Sequence, residues 1–247
     1  NMYSTMRAAD ESYDGNMKSA SGLVGNDGQK MEDALKSGKA VSGSFMGEVM
    51  VRALKMGESN ACMKRIVAAP TAGSCGVMPA VFLTYQKHFG VSDEKMTEAM
   101  FTAAGIGTVI AERAFIAGAT GGCQAEIGSA SAMAAGGLAY LMGGGAEEIT
   151  HASAIALKSL LGLVCDPVAG LVEVPCVKRN VIGAVNAVTS ADMAMAGITS
   201  RIPPDEVIDA MRTVGMALPC SLRETGEGGL AATATGVEIS KKLISSF

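Results

Sequence analysis

Three cysteines fall where a loop meets a predicted helix. Cys123 lies in GATGGCQAEIGSA, 118–130, just before an alanine-rich run. Cys165 follows a helical stretch and Cys176 starts another, with the ten residues DPVAGLVEVP between them. A thiolate at a helix N-terminus gains from the partial positive charge there, and an anionic group bound beside it gains from the same field. The spacing is not CxxC, so it does not spell a structural zinc site. Taken singly, each of the three is also consistent with a small buried apolar residue, as free Cys often is. Cys62, Cys75 and Cys220 read as structural, although Cys75 sits in a glycine-rich turn from which it could approach a bound group.

Other residues could assist such a centre. In AAPTAGSCGVMPAVF, 68–82, Thr71, Gly73, Ser74 and Gly76 form a turn suited to offering backbone N–H groups to a carboxylate. Lys64 and Arg65 just upstream could supply a cation. His151 lies in the first turns of a helix leading to Cys165, where the helix field favours a neutral imidazole, suited to a base or hydrogen-bond partner. His88 fits a helix C-terminal role. Gly143–Gly145 resembles a phosphate-cradling loop of the kind pyridoxal enzymes use. None of Lys64, Lys158 and Lys178 sits in a Schiff-base motif, so a turn between helices and no pyridoxal phosphate is the preferred reading.

The elements that must hold these residues are almost all helical. Periodicity starts near Met31 and resumes over 43–56. A helix over 79–88 is stopped by Lys87, His88 and Gly90. Ser92 reads as the N-cap of the next, running to about Arg113 with Asp93 and Glu94 in its first turn. Further helices are expected over 124–142, 147–162 and 177–198, and PPDEV, 203–207, is a helix start with Pro at its first position. LVEV in the loop 164–176 is a candidate short extended piece, and the tail after Pro219 is Gly/Thr-rich. There is no repeat and no βα alternation. The expected fold is mainly α: a multi-helix bundle with long Gly/Pro-rich loops, an irregular segment over 1–30, and one helical domain over 31–247 with its site at helix ends.

Composition narrows the possible partners. The 247 residues are 49% hydrophobic but only 4% aromatic, with no Trp, 17 Met and 31 Gly, so the core is built largely from aliphatic residues and Met. The formal net charge is −4 with no basic stripe, which argues against nucleic acid and a polybasic membrane contact. Mean hydropathy is +0.30. A long uncharged stretch, 127–146, contains six Gly. That is weakly apolar for a span of roughly 20 residues and fits a buried Ala/Gly helix better than a membrane helix. No secretory signal is visible at the start, so the six Cys read as reduced cytosolic thiols.

The segments APTAGSCGVMPAV, GGCQAEIGSASAMAAGGLAYL and LLGLVCDPVAGLVEVPCVKRNVIGAVNA strongly resemble the iron–sulfur L-serine dehydratases, specifically their alpha subunit or catalytic domain. The resemblance runs from about Ser21 to about Ala232. It implies that Cys123, Cys165 and Cys176 hold a [4Fe–4S] cluster and leave one iron without a protein thiolate. Such an iron is a Lewis acid rather than an electron carrier. L-Serine would bind it through the hydroxyl, a base would take the α-proton, and the aminoacrylate formed would hydrolyse to pyruvate and ammonia. The resemblance also points to Ser21 and Gly22, in SASGLVG, as substrate-binding residues beside Thr71, Gly73, Ser74 and Gly76. Candidate catalytic residues are His151, a histidine position of the family, with Lys64 and Ser74. It implies further a cytoplasmic, oxygen-sensitive enzyme of serine catabolism, feeding gluconeogenesis, that is oligomeric and completed by a beta subunit or domain absent from these residues. One letter departs: the family often has an acid where GATGGCQ has Thr120, which puts activity or substrate choice in question. A cluster-dependent L-cysteine desulfidase and a non-catalytic iron–sulfur electron-transfer or sensor protein remain as alternatives.

Overall fold

A computed structural model describes residues 1–245; Ser246 and Phe247, the end of the expected domain, lie outside the described residues. The helices are α1 (Met2–Glu11), α2 (Asp27–Lys36), α3 (Gly43–Ala61), α4 (Val77–Phe89), α5 (Asp93–Arg113), the single turn α6 (Gly118–Gly121), α7 (Ser129–Leu141), α8 (Ala146–Lys158), α9 (Cys176–Met195), α10 (Pro204–Ala217) and α11 (Ala234–Ile244). Among the described residues there is no strand, only an isolated bridge between Cys165 and Arg223. No helix among them is long and apolar enough to cross a membrane.

α7 is the axis of the bundle. Its sequence SASAMAAGGLAYL is buried from Ser129 to Ala139, as a helix apolar on every side must be. It packs against α4, α5, α8 and α9. Small residues let those helices approach closely: a Cβ on Gly137 would run into the Phe82 ring, and one on Gly136 into Ile106 and Ser153. Phe82, Met78, Met96 and Leu138 fill the spaces between. Unbranched, adaptable Met does here what larger aromatic side chains do in other cores.

The helix ends follow the local chemistry. The Ser92 side chain accepts from the Lys95 N–H at 3.2 Å, capping α5. Gly90, with φ 65°, closes α4 in the left-handed conformation that Gly adopts without strain. Pro204 opens α10, and His88 sits in the last turn of α4 with Nε2 3.1 Å from Glu48.

Three segments depart from the expectation. The N-terminal segment expected to be irregular carries α1, because Tyr3, Met6 and Ala9 recur every three residues and bury one face among polar letters. The Gly/Thr-rich tail carries α11, whose N-cap Thr233 accepts from the Gly236 N–H. LVEV forms no strand: it follows a 3-10 turn, Val168–Gly170, and bends into α9.

Candidate active site

The helix expected from residue 124 starts with a π turn, Gln124–Gly128, that leads into α7, with Cys123 at its N-cap. Such wide turns recur at functional sites. Gln124 fixes the turn. Its backbone N–H donates to Leu163 O at 2.9 Å, its side-chain N–H to Met211 O at 3.0 Å, and its side-chain oxygen accepts from the Gly162 N–H at 2.9 Å. Gly122, just before Cys123, has φ 76°, and a Cβ there would meet Leu163 O at 2.9 Å, so only glycine fits.

Cys165 lies on the segment leaving α8 and is held to the chain beyond α10. Its N–H donates to Leu222 O at 2.9 Å, and its carbonyl accepts from the Glu224 N–H at 2.8 Å. Cys176 is the first residue of α9. The next turn of α9 clamps the neighbouring segments. Arg179 donates to Val164 O at 2.7 Å and to the Asp166 carboxylate at 2.8 Å. Asn180 donates to Gly73 O and accepts from the Gly76 N–H, both at 2.8 Å. One turn of one helix therefore ties Cys176 to Cys165 and to the 71–76 turn.

Cys123, Cys165 and Cys176 are free and buried. The Cys123 thiol, hydrogen-bonded to Cys165, pushes the Cys165 thiol far up, with burial and the charges of Glu126 and Glu224 adding. Burial, followed by Cys123, pushes Cys176 to about 12 against the lowering by Arg179. Helix N-termini were expected to stabilise thiolates here. At Cys176 burial and neighbouring negative charge outweigh the dipole.

Glu126 lies among them. Thr71 Oγ1 donates to its Oε1 at 2.6 Å. A Cβ on Gly73 would sit 3.0 Å from Oε1, and one on Gly118 would sit 2.7 Å from Oε2 and 3.0 Å from Cys165 Sγ. Burial raises the Glu126 carboxyl above its usual range. Glu126, Cys165 and Glu224 bring one ligand atom each to within 4.8 Å of one another. Glu224 holds φ 65°, a strained conformation for a non-glycine residue of the kind that clusters at functional sites. The donor set suits a metal group. Cys165 offers its sulfur within 4.8 Å of ligand atoms of Glu126 and Glu224 and is hydrogen-bonded to Cys123, Gly118 leaves room beside it, and Cys123, Glu126 and Arg179 act on Cys176; a bound metal would oppose the field that raises the Cys165 and Cys176 thiols.

The other expected residues divide. Thr71, Gly73 and Ser74 form one capped 3-10 turn beside Glu126, with Ser74 buried and bonded to Thr71, and Gly76 follows as the N-cap of α4. Ser21 donates to Glu173, away from the thiols, and Gly22 stands in the same loop with φ 74°. Lys64 is exposed and makes no side-chain hydrogen bond among the described residues. His151 Nδ1 accepts from the Ser200 N–H at 3.3 Å and its Nε2 lies 3.8 Å from Glu147; none of these contacts reaches the thiols. Thr120 is exposed on α6. Glu126, Glu224, Arg179 and Asn180 were not singled out from the sequence. For Glu126 the available signal was its place three residues after Cys123.

The fold and site together define a helical protein with buried thiols at its helix ends, beside the half-buried Glu126 and the exposed Glu224. This chain belongs to the serine dehydratase alpha chain family, whose model matches residues 1–231. It is 52% identical over 240 residues to the probable L-serine dehydratase, alpha chain, of Bacillus subtilis, covering 97% of this chain and 80% of that protein. It is 48% identical over 208 residues to the L-serine dehydratase, alpha chain, of Peptoniphilus asaccharolyticus, covering 84% and 71%. To L-serine dehydratase 1 of Escherichia coli it is 45% identical over 182 residues, 72% of this chain but 40% of that longer protein.

Proposed function

We propose that this chain is the catalytic part of an L-serine dehydratase, in which Cys123, Cys165 and Cys176 hold a [4Fe–4S] cluster. The family supports serine dehydration. The observation that supports the finer reading is Cys165, hydrogen-bonded to Cys123 and set within ligand reach of Glu126, whose carboxylate the Thr71 hydroxyl holds. When bound, such a cluster supplies a Lewis-acidic iron lacking a protein thiolate.

The chain's own residues supply the rest. Ala72 and Gly73 start the 3-10 turn, where amides have no intrahelical acceptor, and we assign them to the substrate carboxylate. Thr71 fixes one oxygen of Glu126, leaving Oε2 toward the space before Gly118 and Cys165 to take the α-proton. With loss of that proton and of the β-hydroxyl, serine becomes aminoacrylate and water, and the aminoacrylate hydrolyses to pyruvate and ammonium. Ser74 acts through Thr71. We leave His151 and Lys64 outside the chemistry.

A reading without pyridoxal phosphate is supported by the lysines: Lys158 Nζ is 3.2 Å from Ser200 Oγ and Lys178 Nζ 2.8 Å from Asp27, while Lys64 is exposed. Six free thiols suit a reducing cytoplasm, and relatives named alpha chains point to a second, beta, chain in an oligomer.

The test is anaerobic reconstitution with iron and sulfide, with absorbance recorded before and after L-serine, and pyruvate release from L-serine set beside sulfide release from L-cysteine. Pyruvate formation with a serine-dependent spectral change is expected. Sulfide release from cysteine without action on serine, or a reversible redox signal with no lyase activity, overturns the assignment.

A further inference from the structure

Glu173 lies in the loop joining Cys165 to Cys176, yet it takes no part in the thiol centre. The side chain is buried, with 7% of its surface exposed. Its Oε2 accepts from the hydroxyls of Ser19 at 2.8 Å and Ser21 at 2.5 Å. Its Oε1 has no hydrogen-bond donor, and no cation pairs with the carboxylate, among the described residues. Its charge raises the Cys62 thiol rather than those of Cys165 or Cys176. Oε2 is thus held by two hydroxyls, while Oε1 is left free to accept from a ligand.

That carboxylate lines a groove of 260 Å³, open to solvent on one side, whose other walls include Ala20, Leu171, Ser240 and Leu243, with the exposed Ile244 at its rim. A water-sized ion takes about 30 Å³, so a bare inorganic cation would leave the apolar walls of the groove uncovered. The walls suit an aliphatic group. With Oε2 already holding two hydroxyls, the open oxygen suits the point donor of an ammonium rather than a guanidinium fork, which uses both oxygens.

We propose that this groove is a second binding site, separate from the thiol centre, for a small aliphatic primary ammonium compound whose charge meets Glu173 Oε1 and whose carbon chain lies against Leu171, Leu243 and Ile244. The serines orient the carboxylate. Because Leu171 and Glu173 belong to the loop between two of the thiols, an occupant also braces that loop.

Calorimetric titration of the intact chain with 3-methylbutan-1-amine tests this. The neutral isostere 3-methylbutan-1-ol, 4-methylpentanoate and ammonium chloride serve as comparisons. One amine per chain is expected, with the alcohol and ammonium chloride at least tenfold weaker and the carboxylate not binding. Glu173→Gln is expected to weaken the amine at least tenfold. Ser240→Met is expected to occlude the groove beside Glu173 and abolish binding with an unchanged melting temperature, since among the described residues the Ser240 hydroxyl bonds only Gly236 O in its own helix; it decides the matter if Glu173→Gln does not fold. Cys123→Ser should bind the amine as the wild type does, which separates this site from the thiol centre. Equal affinity for amine and alcohol, unaltered binding in Glu173→Gln or Ser240→Met, an ammonium chloride affinity matching the amine, or loss of binding in Cys123→Ser overturns the proposal.

Discussion

Gly118→Ala tests the site with one methyl group. Gly118 is buried at the start of α6, and its φ is not in the left-handed region, so alanine brings no backbone strain. The added Cβ would lie 2.7 Å from Glu126 Oε2 and 3.0 Å from Cys165 Sγ, whereas ordinary contact begins at 3.4 Å. The carboxylate oxygen must therefore retreat by about 0.7 Å and the sulfur by about 0.4 Å, or the turn must shift by as much. Overpacking of this kind costs about 1–3 kcal/mol, and the better helix propensity of Ala returns up to about 1 kcal/mol. The net loss is about 0–3 kcal/mol, a fall in melting temperature of no more than about 12 °C for a domain of this size. Displacement of reacting groups by about 1 Å, by contrast, costs on the order of 100-fold in rate. Gly118→Ala is expected to fold, to hold less iron after anaerobic reconstitution, and to lose at least tenfold in kcat/KM for L-serine. Gly105→Ala, whose Cβ meets nothing within 4 Å, is the control and should match the wild type in both. A folded Gly118→Ala chain with wild-type iron, sulfide and turnover would refute the placement of Glu126 and Cys165 around one reactive space.

Other substitutions probe separate parts of the argument. Cys123→Ala, Cys165→Ala and Cys176→Ala should each abolish stable iron and sulfide loading, while Cys62→Ala and Cys220→Ala should not; the reverse pattern of iron content would show the ligand set to be wrong. Thr120→Glu adds an acid on an exposed face of α6, and its kcat/KM should stay within about threefold of wild type; a gain of tenfold or more would show that an acid at this position takes part. Glu48 provides a pH test. Burial raises its carboxyl, but hydrogen bonds from Lys87 and Arg52 outweigh that and bring it below its ordinary value. A carboxyl lowered on folding stabilises above its unfolded value, about 4.3, and that stabilisation disappears as pH falls through the folded value. Glu48→Gln should therefore be less stable than wild type by about 1 kcal/mol at pH 7, and the gap should close toward pH 3 in denaturant melts; a gap that is constant with pH would refute the ion-pair origin.

The legibility of this chain follows from the range of the interactions involved. Ser92, Gly90 and Pro204 mark helix ends by bonds and dihedrals that reach at most four residues, so those boundaries could be read directly. α1 could not, because Tyr3, Met6 and Ala9 become a buried face only against elements far along the chain. The site divides in the same way. The three cysteines could be located because glycines, prolines and helix starts surround them locally. Their ionisation could not, because burial and the neighbouring Cys123 and Glu126 decide it at Cys176, against the attraction of the helix end. The acid beside them was sought at position 120, by analogy of sequence. In the folded chain the break at Gly122 and the π turn after Cys123 leave Thr120 in solvent and carry Glu126 inward to Thr71 and Cys165. A regular helix would have set the direction of residue 126 by counting from 123; the π turn adds a residue to that count, so the inward carboxylate depends on a local departure from helical geometry that the letters QAEIG do not announce.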